Sequence, residues 1–193
     1  MRVPILAPAY VGGVQLIANA SRRLLPAADR QDLLRSCSTN VDNLSAGRWS
    51  TLATSALFVE EPMELPYALL LVTVLGYAEY ARGAWWAAGV FLLGHVGATL
   101  LVYGGLRASR PSPAVRRAVD VGPSYGLYAL LGALTSALPR GPVRGGARLA
   151  LLALTARPVL RPGRTFTDAG HLTALGLGLG LAAAVDYRSV RNR

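Results

Sequence analysis

Again and again along its 193 residues the chain turns apolar for roughly the thickness of a lipid hydrocarbon core, and each run ends in a connector rich in arginine, proline or glycine. This alternation constrains the fold more than any motif does. A backbone in hydrocarbon must satisfy its own N–H and C=O groups, which a helix does within a single segment. With 52% hydrophobic residues, 16% charged residues and a mean hydropathy of +0.37, the chain is too apolar for a soluble domain of this length. The pattern predicts an all-α, multi-pass protein of the cell membrane. Six spans are expected, at about residues 5–20, 65–80, 84–103, 121–138, 145–160 and 169–185, in one domain over 1–193 with a long first connector at 21–64.

Charge says how the connectors meet their surroundings. The formal charge is +10, and all 20 basic residues are arginine. They flank the apolar runs a few at a time, as juxtamembrane charges facing anionic headgroups do. A nucleic-acid partner would call for a basic face interleaved with aromatics, which is absent. Cys37 is the only cysteine, so no intrachain disulfide can form. No Cys/His cluster calls for a metal, and no cofactor is expected. The segment 1–20 lacks a convincing cleavage context and reads as the first span rather than a signal peptide.

Within this frame particular residues acquire expectations. Gln15 and Asn19 share a helix face that should turn inward, where amides find partners. Asp29, Asp32, Leu33 and Leu34 suggest a short amphipathic helix, and STNVDNL (38–44) a turn or cap. Trp85 and Trp86 should mark one interface and Tyr103 the other. Glu79 and Arg82, at a helix end, suit a salt bridge or loop anchor. The fifth span is short between Arg148 and Arg157 and crosses only if both snorkel to the surfaces. Gly176 and Gly180 form a GxxxG that would allow close helix contact. His95, in the third span, reads as an interhelical hydrogen bond, with no serine or carboxylate placed to work with it.

The chemistry concentrates in DVGPSYGLY (120–128) and DAGHL (168–172). A serine hydroxyl becomes a nucleophile when a base takes its proton, which requires an imidazole within ~2.6–3.2 Å. Asp120 and Asp168 are plausible N-caps of the fourth and sixth helices. Ser124 follows the first by four residues and His171 the second by three, so their depths differ by only ~1.5 Å if the helices run parallel. They run parallel only if a fifth helix crosses between them. Gly122, Pro123 and Ser124 would open the helix with free N–H groups for an oxyanion. Tyr128, one turn below Ser124, would stack on His171. Ala174 and Gly178 share the histidine's face and keep it narrow.

GPSYGLY followed two spans later by GHLTALGLG resembles the rhomboid family of intramembrane serine proteases, with its G-x-S-G motif on the fourth helix and histidine on the sixth. RWSTLATSALF (48–58) is similar to the family's first-loop segment and GYAEYARG (76–83) to the end of its second helix; the likeness runs from about Ser38 onward and points to a divergent bacterial branch. The resemblance implies a six-helix bundle in which Ser124 is the nucleophile, His171 the general base and Tyr128 the stacking tyrosine. It implies cleavage of peptide bonds in transmembrane or juxtamembrane protein substrates. Counting back from Glu79, Met63 and Tyr67 stand where the family carries a His and an Asn that support the oxyanion, and Tyr125 stands where it has glycine. With those departures, oxyanion support would rest on backbone N–H groups. The same departures suit a second function class, a non-catalytic rhomboid-like protein that binds transmembrane helices of partner proteins. No inverted repeat or broken helix pair points to a transporter.

Overall fold

The computed structural model describes residues 3–191; positions 1, 2, 192 and 193, the ends of the expected domain, lie outside the described residues. The chain begins with α1 (Leu6–Leu24), and its long connector holds α2 (Ala27–Cys37), α3 (Val41–Ser45) and α4 (Thr51–Thr54). Then come α5 (Leu65–Arg82), α6 (Ala84–Ala108), α7 (Pro113–Arg116), α8 (Ser124–Leu134) with a 3₁₀ turn at Thr135–Ala137, α9 (Pro142–Val159) and α10 (Phe166–Arg191). No strand occurs among the described residues. By length and composition, α6 and Phe166–Tyr187 of α10 are capable of crossing a membrane.

Helix α8 is the hub, packed on α10, α6 and α5. Its pairing with α10 depends on missing side chains. A Cβ on Gly178 would overlap the Ala129 carbonyl oxygen, and one on Gly132 would stand 2.7 Å from that of Leu175. Contacts advance from Ser124–His171 through Ala129–Gly178 to Gly132–Leu179, so the two helices are parallel. Helix α6 runs antiparallel to α8, with Tyr103 near Asp120 and Gly94 so close to Ala129 that a Cβ would overlap it. Gly176 and Gly180 do not serve this packing. Both are exposed, and a Cβ at either would meet open space, because the histidine's face, through Ala174 and Gly178, is the one turned to α8. Gly178→Ala is expected to cost about 1–3 kcal/mol by overpacking. Gly176→Ala should be silent in the same thermal unfolding measurement in detergent.

Helix α9 makes the return that parallel α8 and α10 require. Its 18 residues rise about 27 Å. Arg148, expected to snorkel outward, instead binds Asp186 of α10 at 2.8 Å, as does Arg144. Arg144 also donates to the Leu138 and Ser136 carbonyls, and Arg148 to Thr135 Oγ1 at 3.0 Å. Asp186 was beyond the reach of sequence reasoning about this helix, and it holds the charges in the bundle.

Beyond α2 the connector folds onto the helices. Ser38, Thr39, Asn40, Thr51 and Ser55 are all buried. Asn40 caps α3 by accepting from Asn43 N–H at 2.8 Å, as STNVDNL predicted. Arg116 and Arg117 clasp Asp42 and hold its carboxyl below the usual carboxylate range. Gln15 clamps the Met63 backbone from both sides at 2.8 and 2.9 Å, while Asn19 returns to the Gln15 carbonyl on its own helix. Glu79 is a helix anchor: its carboxylate accepts from Ile5, Leu6 and Ala7 N–H at 2.9 to 3.1 Å, capping α1. Arg82 lies over the Trp86 ring, 5.6 Å from its centre.

Candidate active site

Ser124 is the first residue of α8, directly after its N-cap Pro123. Its Oγ lies 2.9 Å from His171 Nε2, within the range for proton transfer. The imidazole stacks on Tyr128 with ring centres 4.5 Å apart and 26° between planes. Tyr125 meets its other flank edge-on at 5.5 Å. Two aromatic walls therefore orient the ring, where a triad would use a carboxylate.

The contact forms although the predicted caps are different residues. Helix α10 begins at Phe166, and Thr165 with Asp168 makes a reciprocal box: Asp168 accepts from Thr165 N–H at 2.8 Å while Thr165 Oγ1 accepts from Asp168 N–H at 3.2 Å. Asp168 is thus inside the helix. Asp120 does not cap α8 either. It accepts hydrogen bonds from the hydroxyls of Tyr103 (2.9 Å) and Tyr125 (3.0 Å), and its N–H donates to Ser38 Oγ at 2.7 Å. Burial pushes its carboxyl above the ordinary carboxylate value, against the pull of the two phenols. Tyr103 consequently points inward and is no interfacial anchor. Tyr125 fits where a glycine was expected because Gly170 faces it: a Cβ there would overlap the Tyr125 hydroxyl.

The backbone donors are fewer than the sequence implied. Gly122, at φ 128° in the left-handed half of the map, donates its N–H to the Ser55 carbonyl at 2.7 Å, and Pro123 has none. The first-turn N–H groups of α8, starting with that of Ser124, have no helical partner. Ser124 shares a cavity of about 340 Å³ with Val59, Glu61, Met63, Glu64, Tyr67, Val121, Gly122 and Pro123. Met63 and Tyr67 thus line the same cavity as Ser124.

A second serine and histidine meet out of reach of any substrate. Ser55 Oγ is 2.9 Å from His95 Nε2, and Thr39 Oγ1 donates to Ser55 at 3.0 Å. Sequence reasoning found no serine for His95 because Ser55 lies in the connector and reaches α6 only after that connector folds inward. With Ser55 1% and His95 3% exposed, the pair joins α4 to α6.

The rhomboid-like protein family model matches residues 8–190. The chain belongs to this family. Searches of curated proteins and of solved structures found no match. The match covers nearly all of the chain, so in this rhomboid-like protein Ser124, His171, Met63 and Tyr67 all lie within the family's own frame.

Proposed function

We propose that this rhomboid-like protein is an intramembrane serine protease that cleaves peptide bonds of transmembrane or juxtamembrane segments. The observation that carries the reading is the 2.9 Å approach of Ser124 Oγ to His171 Nε2, with Ser124 at a cavity wall. Ser124 attacks the peptide carbonyl carbon as His171 takes the hydroxyl proton. The tetrahedral intermediate collapses, the C–N bond breaks, and the imidazolium returns the proton to the leaving amine. Water, deprotonated by His171, then attacks the acyl carbon; the Ser124 Oγ–carbon bond breaks, the imidazolium returns its proton to Oγ, and the product leaves as a carboxylic acid.

On this reading α1, α5, α6, α8, α9 and α10 cross the bilayer, which places the protein in the cell membrane as a multi-pass chain. Leu16, Leu69, Leu101, Leu149 and Leu154 are exposed on these helices, and Trp85 is 93% exposed beside the Gly83 turn, as an interfacial anchor would be. Treating membranes with a fluorophosphonate probe is the test: the native chain takes up label and Ser124→Ala takes up none. Equal labelling of the two sinks the proposal.

The non-catalytic reading, binding of partner transmembrane helices, is favoured by one observation: Met63, fixed through its backbone by Gln15, offers no donor where the family has histidine. Partners crosslinked equally to the native chain and Ser124→Ala, with no cleaved product, would support it.

A further inference from the structure

Tyr67 is the cavity residue that the dyad leaves without a task. An acyl transfer at Ser124 builds negative charge on the former carbonyl oxygen, and preorganised donors must meet it. Near Ser124 these are scarce. The Gly122 N–H is engaged by Ser55, Pro123 has no N–H, and the nearest remaining backbone donors open α8. Among the side chains lining the cavity, Val59, Met63, Val121 and Pro123 carry no donor, and the carboxyl groups of Glu61 and Glu64 offer acceptor oxygens. Glu61 is also held by Arg22 at 3.5 Å and Arg30 at 3.0 Å, so its charge is offset at the cavity rim. Apart from Ser124, that leaves the phenol of Tyr67. The residue is half-buried in the first turn of α5, and its hydroxyl has no hydrogen-bond partner among the described residues.

We infer that Tyr67 is a catalytic residue whose hydroxyl donates a hydrogen bond to the tetrahedral oxyanion formed on Ser124; the inference rests on the hydrolase reading above. As the Ser124 Oγ–carbon bond forms, the carbonyl π pair moves onto oxygen and Tyr67 Oη–H binds it without giving up its proton. When the C–N bond breaks the pair returns, and the phenol is free again.

Kinetics of the full-length protein in detergent on a transmembrane peptide substrate decide the matter. Tyr67→Phe keeps the ring and loses the donor, so kcat is expected to fall about 10²-fold, with KM nearly unchanged. A peptide boronate, whose adduct with Ser124 carries the oxyanion, should lose affinity in parallel with kcat/KM. Tyr67→Asn restores a donor and is expected to recover part of the rate. Tyr80→Phe, on the exposed side of the same helix, should match the native chain, and thermal unfolding confirms that all variants are folded. A Tyr67→Phe rate within threefold of native, while Ser124→Ala stays inactive, overturns the inference and leaves the hydrolase reading standing. A native chain that neither cleaves nor takes up fluorophosphonate overturns both.

Discussion

Replacing His171 with alanine is expected to slow acylation of Ser124 by about 10⁴- to 10⁶-fold, close to the loss from removing Ser124 itself. On the hydrolase reading the two groups act as a unit. Without the imidazole the hydroxyl keeps its proton, and the leaving amine receives none. The double substitution Ser124→Ala/His171→Ala should therefore be barely worse than either single one, and rate assays on the three variants test this. Fully additive losses would mean that His171 acts on something other than Ser124 Oγ, 2.9 Å away. Tyr128→Leu, which removes the stacked face but no proton carrier, should cost far less, about 10²-fold by misplacement of the ring.

The second large effect is expected on stability. Asp186→Ala strips Arg144 and Arg148 of their shared carboxylate, and Arg144 is only 11% exposed along its side chain. Removing one partner of a buried ionic cluster costs about 3–5 kcal/mol, because the remaining charge is left uncompensated. Thermal unfolding in detergent should show the loss, and Asp186→Asn, which retains hydrogen-bond acceptors, should fall between the native chain and Asp186→Ala. The effect reaches the site through architecture. Helix α9 packs chiefly on α10 and the 3₁₀ turn, and a loosened α9 frees α10 to shift against α8. A native unfolding temperature for Asp186→Ala would mean that this cluster does not hold the bundle together.

Local rules made part of this legible from residues. Asn40 caps its helix, α2 forms where an amphipathic stretch was seen, and Pro123 closes the approach to α8. Ser124 and His171 meet, but not through equal depth below Asp120 and Asp168, since both assumed caps are displaced. Asp168 shifted to the third position of α10 because Thr165 is the stronger local partner, and Asp120 was drawn away by two phenols. The two displacements run in opposite directions: counted from the actual caps, Ser124 is one residue in and His171 six, and they meet because α10 starts farther out than α8. GxxxG spacing misled for a different reason: spacing names two glycines on a common face, but which face meets a neighbour depends on the neighbour.

The sequence by itself determined that this protein is helical, that its helices alternate with arginine-rich connectors, and that Ser124 and His171 have the chemistry and spacing for a dyad. Those properties follow from apolar run length, residue chemistry and order along the chain, all local quantities. Tertiary structure alone decided that Gly178 rather than Gly176 meets α8, that Asp186 neutralises two arginines of α9, that Ser55 claims both His95 and the Gly122 N–H, and that Tyr67 lines the same cavity as Ser124. Each of these depends on which groups from distant segments reach one place, and the rotation and approach of packed helices settle that.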